Sequence, residues 1–167
     1  MADKETSAAP EGIQQDPHEA RRPGAEHKRL DAFVGHWRLE GENAPAAPAA
    51  PSTQVQGEES YEWLPGGFFV TSRWLHRFGA DRHEGIGVIG YDPTSRSYTS
   101  NSFDNLGYHR SYRLTVHDGV WHYSGQFERA RLTFDDDGAG FAIAWEMSKD
   151  SRVWHPLCGL RGSRLHG

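Results

Sequence analysis

Between Tyr61 and Phe78 the chain reads Y-E-W-L-P-G-G-F-F-V-T-S-R-W-L-H-R-F, setting a hydroxyl and an imidazole into a run of aromatic residues. Side chains of an extended chain alternate, so Phe68, Val70, Ser72, Trp74, His76 and Phe78 share one face. Imidazole is the side chain that changes charge near neutral pH, which makes His76 a candidate general acid or base. The same alternation puts Arg110 and Tyr112 with Tyr108, Leu114 and Val116. A guanidinium can clamp a carboxylate or enolate oxygen, and a phenol can donate to a carbonyl. His76, Arg110 and Tyr112 are therefore the candidate catalytic residues. Tyr61, Trp63, Ser72, Trp74, Glu84, Tyr108 and Trp145 are the candidate ligand-binding residues. Among them Glu84 shares a parity with Ile86 and Val88, and Trp145 with Phe141, Ile143 and Met147.

Each has a plainer reading. His76 is then a hydrogen-bonded rim histidine, Arg110 an ion-pair partner of Glu84 or Glu59, and the tyrosines ordinary wall packing. Other chemistries find less support. The ten histidines show no H-x-x-x-H or H-x-H spacing, so no metal is expected. Asp135, Asp136 and Asp137 lack the later ligands of a calcium loop. Gly85, Gly87 and Gly90 are wrongly spaced for a dinucleotide fingerprint and continue as a strand. No G-x-S-x-G elbow is present, and the single Cys158 excludes an internal disulfide framework.

Positioning those residues requires strands. Pro65-Gly66-Gly67 reads as a tight reversal, because proline fixes φ and glycine accepts positive φ. Asp92-Pro93, Asp104-Asn105-Leu106-Gly107 and Asp118-Gly119 are further turns between alternating segments. About ten strands follow at spacings of roughly 8–12 residues without a βαβ rhythm. The expected fold is all-β: an antiparallel up-and-down barrel of about ten strands, in which closure removes exposed edges. Leu30, Phe33 and Val34 lie at helical spacing and predict a short N-terminal helical plug. Residues 1–26 carry hardly any bulky apolar group and read as a disordered leader, with the barrel domain over 27–167. The Ala/Pro segment at 43–52 predicts an extended loop and a candidate flap over the barrel mouth.

A chain of 167 residues with net charge −5 allows one sizeable core and argues against nucleic acid as partner. Six Trp, six Tyr and eight Phe favour strands and pocket walls. No apolar run approaches the ~20 residues needed to cross a bilayer as a helix, and the first residues lack a secretory apolar core. A cytoplasmic protein with a small-molecule partner is expected; a homodimer is left open.

L-D-A-F-V-G-H-W, Y-E-W-L-P-G-G-F-F, I-G-Y-D-P and W-E-M-S-K-D-S-R-V-W resemble a bacterial family of small uncharacterised calycin-like barrels, frequent in actinomycetes. The resemblance covers roughly Lys28 to Leu165 and implies a lipocalin- or nitrobindin-like barrel. Gly87 stands where the resemblance leads one to expect an acidic residue. It implies no established reaction. By resemblance to nitrobindin-like barrels, His155 is the candidate haem ligand. The expected function is an aromatic-lined binding pocket for a largely apolar or aromatic, and in one form anionic, ligand. The alternatives are a cofactor-free cyclase, isomerase or lyase of secondary metabolism, and a haem protein.

Overall fold

The computed structural model describes residues 22–45, 47 and 49–165. The leader expected at 1–26 lies outside the described residues as far as 21. Ala25 and Glu26, by contrast, belong to the plug. A turn of helix, α1 (Ala25–Lys28), runs into a 3₁₀ turn at Arg29–Ala32. Ten strands follow: β1 (Gly35–Asn43), β2 (Thr53–Trp63), β3 (Phe69–Phe78), β4 (Asp81–Asp92) and β5 (Ser97–Asp104), then β6 (His109–His117), β7 (Val120–Ser124), β8 (Glu128–Phe134), β9 (Gly140–Met147) and β10 (His155–Leu165). Each pairs antiparallel with its neighbour in sequence, and β10 returns to β1 to close the barrel. No helix among the described residues is long and apolar enough to cross a membrane.

The β2–β3 reversal forms where Pro65-Gly66-Gly67 places it. Gly66 has φ +102° and Gly67 φ +72°, conformations that L side chains rarely adopt. From this turn the β2–β3 register runs Trp63↔Val70, Tyr61↔Ser72, Glu59↔Trp74 and Gly57↔His76, fixing which side chains point inward.

The two ends of the barrel differ. At the plugged end Leu30 and Phe33 are buried, and Phe33 packs edge-on against Trp121 and Phe134 at ring separations of 4.8 and 5.1 Å. Trp37 is fully buried, and its indole N–H donates to the Phe33 carbonyl at 2.8 Å. The Arg164 guanidinium lies 4.1 Å from the centre of the Trp37 ring. Burying a side chain as large as Trp37 contributes on the order of 3 kcal/mol, so this end is a packed core. At the opposite end lie the C-terminal ends of β1, β3 and β5 and the turns that follow them. The Ala/Pro segment joins β1 to β2 at this open end.

Candidate functional site

The site grows from β3, whose inward face carries Ser72, Trp74 and His76. Their cross-strand neighbours are glycines: Gly87 beside Ser72, Gly85 beside Trp74 and Gly57 beside His76. A Cβ at Gly57 would stand 2.6 Å from the His76 ring, and one at Gly87 2.6 Å from Ser72 Oγ. At Gly85 it would strike the Trp74 indole. The rings therefore lie along the wall over glycine backbone, and the glycine-rich stretch of β4 exists to admit them.

The inward polar groups then form two linked sets. His76 Nε2 meets Glu59 Oε1 at 2.9 Å, and Tyr61 donates its phenol to Glu59 Oε2 at 2.7 Å. Asp104 Oδ2 meets His83 Nε2 at 3.1 Å and pairs with the Arg110 guanidinium. Arg110 Nε lies 3.3 Å from Glu128 Oε2, which also accepts the Tyr112 phenol at 2.5 Å. These are inward charges that satisfy one another, as enclosed charges must.

Their electrostatics follow from that wiring. Burial would raise the Asp104 carboxyl, but hydrogen bonds from the Tyr108 N–H, His83, Arg110 and the Leu106 N–H outweigh it and hold it at about 2. Burial works against the Arg110 charge, yet Glu128 and Asp104 raise its pKa. Burial pushes the Tyr61, Tyr112 and Tyr123 phenols well above their ordinary value, with nearby Glu59 or Glu128 adding to the effect. The Cys158 thiol is pushed up to about 11 by burial and then by Glu128.

Three further groups bear on whether this half is filled. Ser72, Ser100 and Tyr123 are 8, 9 and 7% exposed and bring three hydroxyls to the inner wall. Among the described residues no side-chain oxygen or nitrogen is both sealed from solvent and without a partner. Two depressions are also present. One of about 620 Å³ lies beside the plug at Arg29, His117 and Trp121, and one of about 240 Å³ is bordered by Glu58, Glu59, Arg73, Trp74 and Leu75.

The structure brings together His76, Arg110, Tyr112, Tyr61, Ser72, Trp74 and Trp145 on the inner face. It separates the others. Glu84 faces outward opposite Leu75 and pairs with Arg82 at 2.5 Å. The reason is that the inward positions of this part of β4 are its glycines and His83, leaving Ile86 outside and 49% exposed. Tyr108 lies before β6 at the rim, 55% exposed, with the Arg110 guanidinium 4.5 Å from its ring centre. Trp63 points inward at the plugged end and donates to Asp31 at 2.8 Å, so it latches the plug. His155 is exposed at the start of β10, beside Met147 in register. A register shift between Pro156 and Cys158 then interrupts the alternation along β10. Arg110 pairs with Asp104 and Glu128, in place of the expected Glu84 or Glu59.

Sequence reasoning missed His83, Ser100, Asp104, Tyr123 and Glu128 as site residues. Asp104 reads as a turn residue, and it is one: its Oδ1 accepts from the Leu106 and Tyr108 N–H groups, both at 3.0 Å. Only its second oxygen reaches the site. Glu128 is the first residue of β8 and shares its parity with Ala130 and Leu132, a signal legible only once the strand is extended back to it. Among the described residues no group of three or more His, Cys, Asp and Glu is arranged to hold a metal ion.

A closed ten-stranded up-and-down barrel, plugged at one end and lined with paired charges towards the other, defines the class of this protein. The chain belongs to the family described as "Protein of unknown function (DUF1579)", whose model matches residues 22–155. No curated protein matches it. Among solved structures, it is similar to Rv2717c from M. tuberculosis, with TM-score 0.60 and 14% identity over 86% of this chain and 99% of that one. It is also similar to the S-type phycobiliprotein lyase CPES from Guillardia theta, with TM-score 0.53 and 11% identity over 86% and 94% of the respective chains. At these identities the likeness is one of fold.

Proposed function

We propose that the protein binds a small, largely apolar or aromatic molecule in the open half of the barrel, against Trp74, Trp145 and Tyr112. The carrying observation is the inner wall itself, where Trp74, Tyr112, Tyr123 and Trp145 stand beside the polar groups of His83, Glu128 and the His76–Glu59–Tyr61 set. Aromatic rings with a few convergent polar groups are what a small-molecule site provides. Two solved structures share the fold, and one of them is called a phycobiliprotein lyase, which is compatible with ligand handling by such a barrel.

The test is calorimetric titration with 2-naphthylmethanol, an uncharged aromatic probe, alongside Ser100→Leu. That substitution fills the inner wall between Ile89 and Tyr112. Saturable binding that Ser100→Leu weakens at least about tenfold, with the fold retained, supports the pocket. Equal binding to both proteins removes it.

His76 favours a second reading, catalysis without a cofactor. An imidazole held 2.9 Å from a carboxylate on the inner wall can move a proton on a bound molecule, as an isomerase, cyclase or lyase requires. Deuterium uptake into a carbon position of a bound ligand, lost in His76→Gln while binding persists, would establish it. Ligands recovered without label or conversion leave binding as the function.

A further inference from the structure

We infer that the ligand carries a protonated nitrogen: an apolar or aromatic amine is taken, in preference to an anion of the same shape. This rests on the binding reading above and names its ligand class. Among the described residues, six ionisable side chains other than tyrosine and cysteine line the open half: Glu59, Asp104, Glu128, Arg110, His76 and His83. Three are carboxylates and one is a guanidinium. The two imidazoles aside, negative groups outnumber positive ones by two.

Arg110, the group that would attract an anion, is already engaged. It pairs with Asp104, whose side chain is 2% exposed, and its Nε faces Glu128. An anionic ligand would have to displace a carboxylate and would then face two more. A cation meets the opposite arrangement. Glu59 has accepted one hydrogen bond on each oxygen, from His76 and Tyr61, and each oxygen keeps a second lone pair. Glu128 is 27% exposed; its Oε2 accepts the Tyr112 phenol and its Oε1 accepts from Arg110 Nε at 3.4 Å, so each oxygen again keeps a second lone pair.

An independent feature points the same way. Tyr112, Tyr123 and Trp145 form a mutually tilted cluster, with ring centres 5.3–6.0 Å apart. The Tyr112 phenol is bonded to Glu128, and Glu59 acts electrostatically on Tyr123. Aromatic faces flanked by carboxylates stabilise an ammonium through the ring quadrupole as well as by charge. The Tyr123 hydroxyl, on a residue 7% exposed, supplies an acceptor beside them.

The test compares three probes of one shape on the full chain by calorimetry: 2-naphthylmethylamine, 2-naphthylmethanol and 2-naphthoate. The amine is expected to bind about tenfold or more tighter than the alcohol, and the naphthoate more weakly than either. Glu59→Gln should collapse the amine-to-alcohol preference towards one. Glu128→Gln provides the same readout should Glu59→Gln lose its fold, as judged by near-ultraviolet circular dichroism. Naphthoate binding as tightly as the amine, or a preference that survives in the folded variants, overturns the inference while leaving the pocket standing. Failure of all three probes to bind overturns the pocket, and the inference with it.

Discussion

Removing the Arg110 guanidinium separates an ion pair that maintains the barrel from a group free to meet ligand. In Arg110→Met, Asp104 loses its partner while its side chain stays 2% exposed and bonded to His83 and two backbone N–H groups. Breaking a fully buried pair costs about 3–5 kcal/mol, and the 28% exposure of Arg110 scales this to roughly 2–3 kcal/mol. The assay is urea denaturation at several pH values, with Asp104→Asn and the double variant completing a cycle. The Asp104 carboxyl is held at about 2 in the folded protein, below its ordinary value. Its charge therefore stabilises the fold above about pH 4, and that contribution disappears as pH falls through 2. Discounted for its place near the rim, it is worth about 1–2 kcal/mol. Arg110→Met removes part of it, so wild type and variant should converge in stability between pH 4 and 2. A variant within about 0.5 kcal/mol of wild type at pH 7, or a cycle showing no coupling, would refute the pairing.

Replacing Gly66-Gly67 by Val-Val, at φ +102° and +72°, should cost on the order of 2 kcal/mol or more in the same assay, and a near-neutral result removes the turn's role in setting register. Absorbance at 295 nm during alkaline titration should show the Tyr61, Tyr98, Tyr112 and Tyr123 phenols ionising only with unfolding, since each is raised mainly by burial. A raised phenol stabilises the fold below its ordinary pKa near 10, a contribution lost as pH rises, so the midpoint should fall in the alkaline range. Four phenols ionising reversibly near pH 10 in folded protein would contradict this. The Cys158 thiol, pushed up to about 11, should react with an aromatic disulfide reagent at pH 8 far more slowly in native than in urea-unfolded protein. Equal rates would place the thiol outside the wall.

The barrel was legible in the sequence because its hairpins are local. Pro65-Gly66-Gly67 names the turn, and the alternation after it assigns Ser72, Trp74 and His76 to one face. The plug was legible from Leu30 and Phe33, though its helical turn begins at Ala25. What failed was inference from apolarity where glycine occupies the inward position, as beside Trp74, which sent Glu84 to the wrong face. Alternation is interrupted again between Pro156 and Cys158 in β10, an irregularity that no local pattern announces. The charge network was illegible for a different reason. His76–Glu59 and Arg110–Glu128 join residues 17 and 18 positions apart, and such contacts depend on register and barrel stagger that no local pattern carries.

The seam between β1 and β10 gives the barrel its last property. His36 pairs with Leu165 and Asn43 with Cys158, so the first and last strands of the described chain complete one another. Until Leu165 has been synthesised, β1 and β9 both present unpaired backbone, and the cylinder exists only as an open, curling sheet. Closure is thus a single late event between remote segments, of the kind that slows folding and leaves edges exposed to other chains meanwhile. Arg164 takes part in that event directly: its guanidinium donates to the Ala32 carbonyl at 3.4 Å and covers Trp37. Zipping the wall therefore also ties down the stopper, and a chain halted short of Arg164 would lack that tie.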